Sequence, residues 1–135
     1  MIVAAHLLAL TMWGECRAGG DACMRAVGHV VVNRVRSGQD VDVPHAVWRR
    51  GQFACWRDGN RQAMRAVASL APELLDARAW KRAQLLAQRI LAHRDADPTG
   101  GATHYHAAGV RPAWARTMHY RVTFAGQRFY RERAA

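Results

Sequence analysis

The apolar periodicity of this chain changes once, at Asp97-Pro98-Thr99-Gly100-Gly101. Before that loop, hydrophobic residues recur at the three-to-four spacing of helices; after it they fall in short extended runs. In residues 2–17, Val3, Leu7, Leu10 and Trp13 or Gly14 share one helical face. Gly19-Gly20 ends this segment, and Asp21 suits the N-cap of a second helix over 22–36 with Val27, Val30, Val31 and Val35 inward. Two helices joined by a short glycine turn form a hairpin, which sets Glu15 close to the start of the second.

Further along, Pro44 suits the first turn of a short helix ending near residue 49. Gly51-Gln52-Phe53-Ala54-Cys55-Trp56 reads as a turn able to expose two aromatics, and Asp58-Gly59-Asn60 as a cap for a helix over 61–70, broken by Ala71-Pro72. A helix over 77–93 would bury Trp80, Leu85 or Ala83, Ala87, Ile90 and Leu91. Extended runs follow at 102–106, 120–124 and 127–130, with Ala125-Gly126 as a hairpin turn. The expected class is α+β, mostly helical with a small C-terminal antiparallel sheet. A length of 135 residues with no linker and no repeat suits a single domain spanning 1–135.

Twenty basic against ten acidic residues give a formal charge of +10, which draws a protein to polyanions, whether nucleic acid or an anionic envelope. Lys81 is the only lysine, and the arginines are scattered. That favours an all-round basic surface over a nucleic-acid stripe, and neither 25–36 nor 78–94 carries a recognition-helix signature. Cys16, Cys23 and Cys55 lack CxxC spacing; reduced thiols are the default expectation, with one disulfide conceivable but not indicated. The apolar N-terminal run lacks the basic region of a secretory signal and is too short to span a bilayer. A monomer made in the cytoplasm, without stable membrane insertion, is expected.

Glu15 is the only acid among the first twenty residues and follows Trp13 by two. A carboxyl beside an indole and a thiol is a candidate general acid; paired with Arg17 or Arg25 it would be an ordinary helix-end residue. Trp13-Gly14-Glu15, Gln52-Phe53 with Trp56, the run Gly100 to His106, and Pro112-Ala113-Trp114 combine aromatics with hydrogen-bonding groups. Sugars need both, although each ring singly suits core packing. His104 and His106 alternate and would point the same way on a strand. With His119 or Asp97 they raise a zinc amidase as a competitor, but HxH is a weak signal and no HExxH accompanies it. Cys55 has no protease context around it.

These residues also carry a resemblance. Met12-Trp13-Gly14-Glu15-Cys16-Arg17, then Met24 to Val35, Gln52 to Trp56, Pro98 to His106, Pro112-Ala113-Trp114 and Phe129-Tyr130 stand in the order of the SleB-type cell-wall hydrolases. The resemblance implies a lysozyme-like fold and cleavage of the peptidoglycan glycan strand between N-acetylmuramic acid and N-acetylglucosamine. No cofactor and no metal are expected, and the resemblance puts the catalytic glutamate at Glu15. Ala18-Gly19 stand where the family commonly has a Gly-Glu pair, and Cys16 where it has Ala. Thr103 and Tyr105 take the places of the family's Thr and aromatic; with Gln52, His104 and His106 they are expected to bind sugar groups, and Phe53, Trp56 and Trp114 to line the cleft. Lytic transglycosylation with Glu15 as single acid and base is the favoured chemistry. The alternative is a hydrolytic muramidase or glucosaminidase in which Asp58 or Asp97 assists. A phage endolysin freed by a holin is the expected setting.

Overall fold

The computed structural model describes residues 3–16, 20–49, 52–57 and 77–133. Its helices are α1 (Val3–Glu15), α2 (Gly20–Arg36), α3 (Val43–Trp48) and α4 (Ala77–Leu91), with single 3-10 turns at Ala54–Trp56 and Ala113–Thr117. Residues 58–76, which include the expected helix over 61–70 and Asp58, lie outside the described residues.

Helix α1 is apolar on every side. Leu7, Leu8, Ala9, Leu10, Thr11 and Met12 are all buried, so it is a central helix and not an amphipathic surface one. Helices α2, α3 and α4 pack around it. Each aliphatic side chain buried there contributes roughly 1.5–3 kcal/mol. Gly28 is where three helices meet: a Cβ would lie 2.7 Å from Ile90 Cδ1 and 2.9 Å from Met12 Sδ. On α4, Trp80, Ala83, Leu86, Ala87 and Ile90 form the inward face, and Leu85 is 44% exposed. Of the two residues expected inward there, Ala83 shares the helical stripe of Trp80 and Leu85 falls beside it.

Asp42 caps α3 by accepting from His45 N at 2.9 Å, with Pro44 in the first turn. Asp21, expected as a cap, instead sits inside the first turn of α2, where it pairs with Arg82 of α4. Cys16 and Cys23 form a disulfide. This overturns the expectation of three reduced thiols. The end of α1 and the first turns of α2 bring the two Cα atoms to 5.7 Å, inside the span a disulfide bridges. Cys55 is buried and takes no part in that disulfide.

The sheet contains β1 (His104–Ala107), β2 (Met118–Phe124) and β3 (Gln127–Glu132), antiparallel in the order β1-β3-β2. Ala125 and Gly126 both take positive φ, 48° and 74°, as a two-residue hairpin with the strand twist requires. The register sets Tyr105 opposite Phe129, His104 opposite Tyr130 and His106 opposite Arg128. Because side chains alternate across a strand, Tyr105 and Phe129 share one face while the two histidines, Tyr130 and Arg128 share the other. Among the described residues no helix is long and apolar enough to cross a membrane.

Candidate active site

Glu15 is the last residue of α1 and is half-buried. Its Oε1 accepts a hydrogen bond from the Tyr105 hydroxyl at 2.6 Å, and its Oε2 accepts from the backbone N–H of Cys55 at 3.3 Å. The carboxyl is thus held between the sheet and the 3-10 turn that follows Phe53. Arg25, one of its two conceivable ion partners, is bound instead to Asp95; Arg17 lies outside the described residues.

Tyr105 is fixed by its neighbours. Its ring stacks on Phe129 with centroids 5.2 Å apart and leans on Phe53 at 6.2 Å. Burial, and then the adjacent Glu15 charge, push its hydroxyl well above the ordinary tyrosine range, so it stays a proton donor at neutral pH. Arg34 of α2 lies behind this pair. Its Nε donates to Thr103 O at 2.6 Å, and its guanidinium sits 5.2 Å from the Phe53 ring centroid. Burial lowers its pKa. Sequence reasoning missed Arg34, because a basic residue near the end of a helix reads as a solvated one.

The loop before β1 is anchored to α2. Asn33 Nδ2 donates to Asp97 Oδ2 and to Ala102 O, both at 2.9 Å. Asp97 also accepts from Thr99 N at 2.8 Å, Thr99 Oγ1 at 2.6 Å and Gly101 N at 2.9 Å. Burial alone would raise the Asp97 pKa, but the hydrogen bonds from Thr99, Asn33 and Gly101 outweigh it and lower it. One turn back, Asp95 accepts from Arg25 and lies 2.8 Å from His29 Nε2. Glycine at 100 and 101, both at positive φ, lets the chain turn sharply into β1.

The expected site residues divide into groups. Tyr105 touches Glu15. Thr103 is buried, with Oγ1 2.9 Å from His104 Nδ1. Phe53 and Trp56, expected as cleft lining, are 2% and 7% exposed and belong to the core. Trp56 Nε1 donates to Thr11 Oγ1 at 2.7 Å, and Thr11 Oγ1 donates in turn to Leu7 O. Gln52 is exposed beside them. His104, His106 and Trp114 lie on the face of the sheet opposite Tyr105. Trp114 approaches His104 at 5.1 Å and His106 at 5.6 Å between centroids. Burial, and then the charge of Arg34, lower the His104 pKa. No three His, Cys, Asp or Glu side chains gather as a metal site among the described residues. The zinc-amidase reading therefore has no ligand set there.

The fold, helices packed round a central one with a three-stranded antiparallel sheet, is shared with solved bacterial catalytic domains. The catalytic domain of the germination-specific lytic transglycosylase SleB from Bacillus anthracis superposes with a TM-score of 0.71 at 22% identity, over 95% of this chain and 93% of that one. The catalytic domain of the Bacillus cereus SleB protein gives 0.72 at 22% identity, over 97% and 91%. The sequence profile of the cell wall hydrolases matches residues 19–130, a span that begins just past Glu15 and takes in Arg34, Thr103 and Tyr105. The chain belongs to the cell wall hydrolase family. No curated protein matches it in sequence.

Proposed function

We propose that the protein cleaves the peptidoglycan glycan strand at the MurNAc–GlcNAc bond as a lytic transglycosylase, with Glu15 as its single acid and base. The observation that carries this reading is the asymmetric grip on Glu15. Oε1 is engaged by a short bond from Tyr105, whereas Oε2 has only one long contact, from the Cys55 N–H. Oε2 is therefore the working oxygen: protonated, it delivers its proton to the glycosidic oxygen as that bond breaks. The resulting carboxylate takes the proton of the muramyl 6-hydroxyl while that oxygen bonds to C1. The product is a 1,6-anhydromuramyl end, and no water is consumed.

Every other described acid is engaged elsewhere: Asp21 by Arg82, Asp40 by Arg49, Asp42 by His45, Asp95 by Arg25 and His29, Asp97 by Asn33 and its own loop, and Glu132 by Gln39. This supports the one-carboxyl route over a hydrolase, which needs a second acid placed across the bond. The same ion pairs, with Arg34 buried, weaken the nucleic-acid reading by removing cations from 25–36 and 78–94.

We further infer an envelope setting, as for an endolysin. A disulfide persists in an oxidising compartment, and a charge of +10 favours an anionic wall at low salt. Digestion of purified sacculi, followed by mass measurement of the muropeptides, tests the chemistry. Ends lighter by one water than reducing ends are expected. Reducing muramic acid or reducing glucosamine instead would sink the transglycosylase and leave a hydrolase.

A further inference from the structure

The outer face of the sheet carries a wall of rings. His106 stacks on Tyr130 with centroids 5.2 Å apart and its Nε2 2.9 Å from the tyrosine hydroxyl. Trp114 stands edge-on to Tyr130 at 5.4 Å. Against this wall opens a cavity of about 440 Å³, lined also by Val110, Arg111, Pro112, Arg116 and Arg128. Arg128 is held in place: its guanidinium lies 4.5 Å over the Tyr120 ring, and its Nε donates to the Tyr130 hydroxyl at 3.3 Å. No described carboxylate pairs with Arg111, Arg116 or Arg128. Three guanidinium groups gathered round one cavity repel one another, and a bound anion relieves that repulsion. Their planar forks match carboxylates two bonds at a time.

We propose that this cavity binds the carboxylates of the stem peptide that hangs from muramic acid. The proposal rests on the glycan-cleaving reading of Glu15 for its substrate. Neutral sugar rings give three arginines with no described carboxylate partner nothing to answer, whereas a stem peptide carries several free carboxylates. Its alanine methyls suit the apolar part of the lining, Val110, Pro112 and the Tyr130 ring. Placement fits a pendant arm and not the scissile bond. Tyr105, which grips Glu15, lies between His104 and His106 on β1 but projects to the other face. One strand thus separates the reacting carboxyl from the peptide cavity, so a chain wrapped over this edge strand reaches both.

Calorimetric titration of the free tetrapeptide L-Ala-γ-D-Glu-diaminopimelate-D-Ala tests the cavity separately from cleavage. The wild-type protein and E15Q are expected to bind it equally. R111E/R116E, or amidation of the peptide carboxylates, is expected to weaken binding about tenfold or more. On glycan bearing its peptides, R111E/R116E should raise KM by about tenfold at unchanged kcat, while turnover of peptide-stripped glycan stays at the wild-type level. Arg111 and Arg116 are exposed, and the milder R111A guards against a folding defect. Equal binding by R111E/R116E, equal binding of the amidated peptide, or no binding to wild type would each overturn the proposal. A wild-type protein that binds the tetrapeptide but releases no glycan fragments would overturn the glycan reading and leave the peptide cavity standing.

Discussion

Two carboxyls, Asp97 in the loop before β1 and Glu15 at the end of α1, are treated in opposite ways. Asp97 accepts from Thr99 N, Thr99 Oγ1, Gly101 N and Asn33 Nδ2, and has no lone pair to spare. Glu15 accepts one short bond and one long one. A carboxylate that is saturated by fixed donors is locked in its ionised form and holds structure together. One left with spare lone pairs can exchange a proton with a ligand. The count and length of their hydrogen bonds set them apart.

That contrast breaks most easily at Glu15. E15Q is expected to lose about 10²–10⁴-fold in sacculus digestion with an unchanged melting temperature, since its proton chemistry is gone and its hydrogen bonds are largely kept. Full lytic activity in E15Q would remove Glu15 from the mechanism. D97A should do the reverse: about 3 kcal/mol of stability lost in denaturant titration, with turnover preserved where the protein stays folded. The pH dependence has a definite sign. The Asp97 pKa is lowered in the folded state, so its stabilisation is complete above the unfolded value of about 3.9 and is lost as pH falls through the folded value. D97A should accordingly flatten that part of the acid unfolding curve, and an unchanged curve would place the acid sensitivity elsewhere.

Next in size is the staple beside Glu15. The C16S/C23S pair should cost about 2.5 kcal/mol, the loop-closure value for so short a separation, read as a fall in the denaturation midpoint that reductant reproduces in the wild type. The smallest effect belongs to Y105F. Removing one hydrogen bond to a charged group should lower kcat by roughly tenfold and leave stability within about 1 kcal/mol, because the ring keeps its stack on Phe129. A loss as large as that of E15Q would mean that Tyr105 itself handles a proton.

Much of the frame was legible in the sequence because it is written locally. The valine spacing at Val27, Val30 and Val31 gave the buried face of α2, and Ala125-Gly126 gave the hairpin. Glu15 stood out as a lone acid in an apolar run. What stayed hidden is contact across distance. Tyr105 reaches Glu15 from 90 residues away, and no spacing rule carries that far. Alternation put His104 and His106 on one side of a strand and Tyr105 on the other, but only the packing of the sheet decides which side meets Glu15. The Cys16–Cys23 bond depends on how the end of one helix meets the start of the next, a geometry their separation of seven leaves open.

Helix α2 holds both jaws of the site. Cys23 in its second turn is bonded to the residue that follows Glu15, while Asn33 and Arg34 near its far end grip Ala102 and Thr103 just ahead of Tyr105. From Cys23 to Arg34 an α-helix rises about 16 Å. That rod acts as a gauge block: acid and tyrosine meet at 2.6 Å because one rigid length, calibrated at either end, spans the gap between them.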